Sequence, residues 1–238
     1  SVTSEGVTLD MGDMGKIGLD SWGYHGGITS IADKVPTAGE NVHDDTFTSN
    51  HDNPSVGVAK IQSSGEDTLS YTVSPAEGFT FTSSLAFGTN GSEESAAIIV
   101  DAIEGLSVGA GIGTNYSTAA VVDGGVNEDD VETYFARYSM GPVSVGYQQT
   151  KVDGEVANTD IEADHYGISF AVNENISISY GERNVEFDSK SLDEESKGIS
   201  ASYTAGGLSV IAVNNEKENA AGTAVDDEMM ELKLVFAF

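Results

Sequence analysis

The last eleven residues, EMMELKLVFAF (228–238), alternate between two kinds of side chain and end on a phenylalanine. From residue 230 onward, one phase holds only large apolar side chains, namely Met230, Leu232, Leu234, Phe236 and Phe238. The other phase holds charged and smaller side chains, such as Glu231 and Lys233. A period of two residues is typical of a β-strand whose two faces meet different surroundings. The sequence therefore predicts a terminal strand with Phe238 on its apolar face.

The same period of two recurs along most of the chain, whereas apolar residues at helical spacing are almost absent. It predicts about thirteen strands, at 7–11, 16–20, 69–73, 79–87, 96–103, 106–112, 133–140, 143–147, 166–172, 176–180, 199–203, 208–212 and 230–238. Tight links follow Val73, Ile103, Met140, Val172 and Thr204, and they alternate with long acidic links at 116–130, 151–160, 185–196 and 215–227. This alternation is typical of an antiparallel meander with all its long links at one end, and a Greek-key sandwich would not produce it.

The two faces of the predicted strands differ in chemistry, and the difference indicates the solvent. One face carries Leu, Ile, Val, Tyr and Phe, while the other carries mainly Ser, Gly, Thr and Ala. Lipid outside and water inside produce this pattern in membrane barrels, which also carry aromatic residues near both interfaces. We therefore predict an all-β fold, a transmembrane antiparallel up-and-down β-barrel. A large soluble or secreted β-sandwich is the alternative.

The composition narrows the partners and the chemistry. There are 39 acidic and 10 basic residues, a formal net charge of −29, so nucleic acid is a poor partner. The chain has no cysteine, which excludes disulfides, thiolate metal sites and cysteine nucleophiles. It contains neither HExxH nor a glycine-rich phosphate loop, and we expect no enzymatic activity.

Three stretches resemble the general porins of Gram-negative outer membranes, most of all the alphaproteobacterial type. They are the terminal strand EMMELKLVFAF (228–238), the stretch VTLDMGDMGKIGLDSWG (7–23) and the long segment that follows it to about residue 64. Porins of 16 strands leave an aqueous channel. The resemblance implies a single barrel domain over 1–238 with about 13 strands represented and roughly three N-terminal strands missing. A genuinely smaller barrel is the alternative.

The resemblance also implies a function. A general diffusion porin passes small hydrophilic solutes passively, forms a homotrimer in the outer membrane, contacts the lipid bilayer and lipopolysaccharide, and uses no cofactor. The final phenylalanine, here Phe238, is the expected assembly signal. The short links should lie at the periplasmic end and the long links outside. A function from a different class is a secreted or surface-layer β-protein whose acidic loops bind Ca²⁺ and support adhesion.

The segment 21–64 is the candidate constriction loop, because the porin loop at this position folds into the barrel and narrows the pore. Its carboxylates would favour cations if they line the pore. They are Asp33, Glu40, Asp44, Asp45 and Asp52. The resemblance implies basic residues on the opposite wall, for which Lys16 and Arg137 are candidates. A solvated surface loop and structural ion pairs are the alternative interpretations.

Two oxygen-rich stretches have the ligand chemistry that Ca²⁺ prefers. They are NVHDDTFTSNHDNP (41–54), which holds Asp44 and Asp45, and NEDD (127–130), which holds Asp129 and Asp130. Neither has the EF-hand spacing, so surface acidity is the favoured interpretation and a structural Ca²⁺ the alternative. His43 and His51 lack the helical spacing of a transition-metal pair.

Overall fold

The computed structural model describes residues 5–21, 26–42, 67–87, 92–117 and 127–236. Its strands are β1 (Glu5–Asp10), β2 (Lys16–Ser21), β3 (Asp67–Ala76), β4 (Phe79–Phe87), β5 (Ser92–Ile103), β6 (Leu106–Ser117), β7 (Asn127–Met140), β8 (Val143–Asp153), β9 (Ile161–Ala171), β10 (Ile176–Phe187), β11 (Glu194–Ala205), β12 (Leu208–Glu218) and β13 (Asp227–Phe236). Short 3₁₀ turns lie at Gly12–Met14, Gly27–Ile31 and Ala220–Gly222. Within these ranges no helix has the length and apolar character needed to cross a membrane.

The thirteen strands form one sheet, in which every strand pairs antiparallel with its neighbours in the sequence. The prediction of an all-β, up-and-down architecture is confirmed. Over the described residues the sheet does not close, since β1 pairs only with β2 and β13 only with β12.

Short links gather at one end of this sheet, as predicted. The β3–β4 and β5–β6 links end on Gly78 and Gly105, whose φ angles are 74° and 76°. Glycine adopts this left-handed conformation without the clash that a Cβ would cause, and the tight hairpin turns need it. Because alternate links are this short, the longer ones all leave from the opposite end.

At that opposite end the strands run further than the sequence analysis predicted. β10 reaches Phe187 and β11 begins at Glu194, so the link between them is 188–193 and not 185–196. Similarly, β7 begins at Asn127 and contains the NEDD stretch. Charged residues occupy both faces of these strand ends, which hides the period of two although the backbone ladder continues.

One face of the sheet is apolar and exposed, and we call it the outer face. Ile112, Ile199 and Leu232 leave 63%, 58% and 63% of their surface uncovered. Tyr147 lies between Tyr134 and Tyr166 in a row across β7–β9, with ring centroids 6.1 and 4.9 Å apart. An apolar band bordered by aromatic rings is the arrangement of a lipid-facing barrel wall.

The opposite, inner face carries small and polar side chains, and residues 26–42 lie against it. Ile28 packs on Val131, and Ile31 packs with Ala97 and Phe135. Buried polar residues of the wall surround these contacts, including Thr82, Ser84, Ser95, Thr133, Gln148, Thr150 and Ser200. The buried apolar side chains of this region therefore lie inside the curved sheet, between the wall and the 26–42 segment.

Candidate functional site

Residues 26–42, hereafter the inner segment, cross the inner face from β4 to β13. At the first end, the backbone N–H of Gly27 donates to Thr82 Oγ1 (3.0 Å) and that of Ile28 donates to Ser95 Oγ (2.9 Å). At the other end, Glu40 forms an ion pair with Lys233 of β13. The inner segment thus passes over the middle of the sheet and occupies the space that the strands enclose.

Backbone groups of the inner segment find their partners in side chains of the wall. Lys34 N donates to Gln148 Oε1 (2.8 Å) and Ala38 N donates to Ser179 Oγ (2.9 Å). Buried backbone groups outside regular structure need such partners, because water does not reach them freely. Serine and threonine on the inner face therefore hold the segment as well as keeping the lumen polar.

Glycines of the wall let the inner segment approach closely. A Cβ on Gly146 would lie 2.5 Å from Pro36 Cδ, and one on Gly167 would lie 2.3 Å from Val35 Cγ1. Both distances are shorter than real Cβ contacts, so any larger residue would push the segment inward. These two positions therefore require glycine for close packing rather than for a special backbone angle.

Two of the predicted constriction carboxylates are described, and they differ in their surroundings. Asp33 is exposed on the inner segment, where it accepts a hydrogen bond from Asn41 Nδ2. Glu40 is tied to Lys233 and only 17% of its side chain is exposed. The other predicted residues lie outside the described ranges, namely Asp44, Asp45, Asp52, His43, His51 and Phe238.

The two predicted basic wall residues both belong to the inner face, in different settings. Lys16 lies at the short-link end, where its Nζ is 3.1 Å from Asp10 Oδ2 and both side chains are well exposed. Arg137 shares a cavity of about 460 Å³ with Lys34 of the inner segment and with Asp101 of β5. The structure thus brings Arg137 next to the segment and leaves Lys16 beside a wall carboxylate.

The calcium candidates in NEDD lie at the start of β7. Consecutive residues of a strand point to opposite faces, so Asp129 and Asp130 do not face one ion together. Asp129 Oδ1 instead accepts the backbone N–H of Glu155 (3.1 Å). Within the described ranges, no three His, Asp or Glu side chains are grouped so as to hold a metal ion. Ca²⁺ binding stays a prediction.

A buried charge cluster on the inner face was not predicted. Arg183 Nη1 and Lys217 Nζ lie 3.6 and 3.8 Å from Glu194 Oε1, and the three side chains are at most 4% exposed. The backbone N–H of Ala221 donates to Glu194 Oε2 (2.8 Å), which holds the link after β12 against the cluster. His165 is the strand partner of Arg183 and is also buried. The period of two does not reveal this cluster, because polar and charged side chains occupy both faces of these strand ends.

The stretch GLSVG (105–109) has the spacing GxSxG, and its structure does not fit a nucleophile elbow. That motif places serine on a sharp turn between a strand and a helix. Here Ser107 follows a hairpin turn and lies within β6, paired with Arg137 of β7. It is a wall residue of the inner face.

Comparisons with known proteins give one family model and several solved structures of similar fold. Residues 1–221 match the family model of Gram-negative porins. An anion-selective porin from Comamonas acidovorans superposes with a TM-score of 0.67 at 15% identity, covering 99% of this chain and 77% of that one. A porin structure refined at 1.8 Å gives 0.63 at 18% identity, covering 95% and 79%. Pseudomonas aeruginosa OpdQ gives 0.64 at 12% identity, covering 97% and 69%. No curated protein sequence matches the chain.

Proposed function

We propose a function for this chain from its family: it belongs to the Gram-negative porins and resides in the outer membrane. The proposed function is a passive, cation-preferring channel for small hydrophilic solutes. The family match favours a diffusion channel over the alternative of a secreted or surface-layer protein. We assign the chain no enzymatic role and no cofactor. The homotrimer and the contact with lipopolysaccharide, both implied by the family, belong to the same proposal.

One observation carries this proposal: the inner segment lies inside the sheet along its path from β4 to β13. A segment inside a barrel reduces the open cross-section there, so its exposed side chains stand where solutes pass. We therefore propose that 21–64 is the constriction loop. Its described part holds Asp33, Lys34 and Glu40, and the remainder adds Asp44, Asp45 and Asp52.

The preference for cations follows from electrostatics in a narrow passage. A low-dielectric wall focuses the field of carboxylates at the constriction and raises the local cation concentration. Carboxylates on the external links act much less, because their field is screened over about 8 Å at physiological salt. Placement therefore matters more than the net charge of −29. Lys34 of the segment and Arg137 of the wall line one cavity and add a smaller opposing field.

The test is the reversal potential of the channel in planar bilayers under a salt gradient. One variant replaces every acidic residue of the loop by its amide, and we expect it to lose much of the cation preference. The replaced residues are Asp33, Glu40, Asp44, Asp45 and Asp52.

A matched control replaces five exposed carboxylates at the long-link end of the sheet. They are Glu186, Asp188, Asp193, Glu195 and Glu228. Glu194 is left unchanged because it is buried between two cations. Equal effects of the two sets would show that the loop does not line the constriction. An anion-selective wild type would refute the cation preference directly.

A further inference from the structure

Gln148 and Gln149 are consecutive residues of β8, and their side chains form hydrogen bonds on opposite faces of the sheet. Gln148 is 4% exposed on the inner face. Its Nε2 donates to the carbonyl oxygens of Ile31 (2.8 Å) and Ala32 (3.1 Å), and its Oε1 accepts from Lys34 N (2.8 Å). Gln149 points outward and bonds only to other wall residues, through Nε2 to Glu162 Oε1 (2.9 Å) and Asp164 Oδ1 (3.1 Å).

Gln148 fits the inner segment because a carboxamide is both a donor and an acceptor. The segment leaves its 3₁₀ turn at Ile31, and there its backbone presents two carbonyl oxygens and one N–H to the wall. Serine or threonine could not reach all three groups, and a carboxylate could not donate. The side chain of Gln148 thus clamps residues 31–34, which include Asp33 and Lys34.

This clamp lies between the two end anchors of the inner segment. One end is held by Thr82 and Ser95, and the other by the ion pair with Lys233. Loss of the clamp therefore leaves the segment inside the barrel and frees its middle at residues 31–34, before the wall contacts of Val35 and Pro36. That middle carries the exposed carboxylate of Asp33 and the ammonium group of Lys34.

We propose that Gln148 is the positioning residue that sets how far the inner segment stands out from the wall, and hence the width and field of the narrowest section. The inference rests on the proposed function, because it assumes that solutes pass the segment. Just beyond the clamp, Gly146 and Gly167 allow Pro36 and Val35 to pack against the wall. The hydrogen bonds of residues 31–34 and the packing of residues 35 and 36 thus together fix the distance between the segment and the wall.

The experiment compares Gln148→Met with Gln149→Met in the full chain. Methionine keeps the length of glutamine and removes its donors and acceptor. Single-channel conductance in planar bilayers should change by about twofold or more for Gln148→Met, with a shifted reversal potential, because pore width and lining charge set both quantities. Gln149→Met should keep the wild-type values although it also loses the hydrogen bonds of its side chain to the wall.

A wild-type conductance for Gln148→Met would overturn the proposal. If the five loop neutralisations still alter selectivity in that case, the constriction stands and only the clamp is wrong. Should Gln148→Met fail to reach the folded, heat-modifiable form, Gln148→Asn is the second variant. It keeps both hydrogen-bonding functions on a shorter side chain, so it should fold and shift the conductance. Wild-type values for Gln148→Asn would then overturn the proposal.

Discussion

Two charge clusters on the same strands, one on each face of the sheet, have opposite compositions. The inner cluster places one acid, Glu194, between two bases, Arg183 and Lys217, at 3.6 and 3.8 Å. The outer cluster places one base, Lys197, between two acids, Glu216 and Glu218, at 3.5 and 3.3 Å. The distances are alike, but the inner side chains are 1–4% exposed and the outer ones 47–53%.

Burial, and not distance, therefore decides how much these ion pairs contribute to stability. Water and salt screen the outer pairs, and such pairs are worth about 0–1 kcal/mol. The inner charges have lost most of their hydration, so each depends on its protein partners. The acid of the inner cluster also accepts the backbone N–H of Ala221, which couples the link after β12 to the wall.

Removal of the central acid of the inner cluster should destabilise the protein most. Glu194→Ala leaves two buried cations beside each other and should lower the free energy of unfolding by about 3–5 kcal/mol. The measurement is a urea titration in detergent, followed by the gel mobility of the folded form. Glu195→Ala, on the outer face of the same strand, is the control. A loss below about 1 kcal/mol, the value of an exposed pair, would contradict the distinction by burial.

The second prediction tests the two faces with the same new charge. Ile178→Arg puts a guanidinium on the exposed apolar face of β10, where it should cost about 2–4 kcal/mol in the bilayer. Ser177→Arg puts it on the inner face one residue away, where water can solvate it. Refolding into lipid vesicles gives both values. Similar losses for the two variants would mean that the outer face does not contact lipid.

An intermediate effect is expected for the ion pair between Glu40 and Lys233, whose side chains are 17% and 44% exposed. Lys233→Gln should lower the free energy of unfolding by about 1 kcal/mol, since the pair is only partly screened. It should also release the far end of the inner segment. In a variant with Ala38→Cys and Ser200→Cys, a bifunctional thiol reagent should therefore cross-link the two cysteines more slowly when Lys233→Gln is present. An unchanged cross-linking rate would exclude Lys233 as an anchor.

The smallest effect is expected for the base of the outer cluster. Lys197→Gln should change the free energy of unfolding by about 0–1 kcal/mol, and high salt should abolish even that difference. The same urea titration, repeated at low and high salt, measures it. If Lys197→Gln lowered the free energy of unfolding as much as Glu194→Ala, the outer cluster would have to be shielded from solvent by groups outside the cluster.

The fold could be predicted because lipid and water impose a strict alternation. The phase of Met230, Leu232 and Leu234 in the last strand is confirmed by their exposure on the outer face. The ends of β10 and β11 around Arg183 and Glu194 were not predicted, because polar residues occupy both faces of the sheet beyond the apolar band. There the period of two no longer separates apolar from polar side chains.

The candidate site could be predicted only in part. An unusually long link after β2 pointed to a segment with a special position, and its acidic residues were visible in the sequence. The role of Gln148 was not visible, because it depends on contacts with a segment 114 residues away. Gly146 and Gly167 were likewise indistinguishable from other small wall residues, since their importance comes from Pro36 and Val35 passing over them.

The sequence separation between contacting residues also predicts the order in which the contacts form during folding. Among the described residues each strand pairs only with its neighbours in the sequence, so the sheet can grow hairpin by hairpin. The inner segment behaves differently: Lys34, Thr37 and Glu40 find partners 114, 163 and 193 residues further along. A segment near the start of the chain must therefore wait for the final strand before its last contact can form. We therefore expect the inner segment to reach its final position late in folding, when Glu40 meets Lys233.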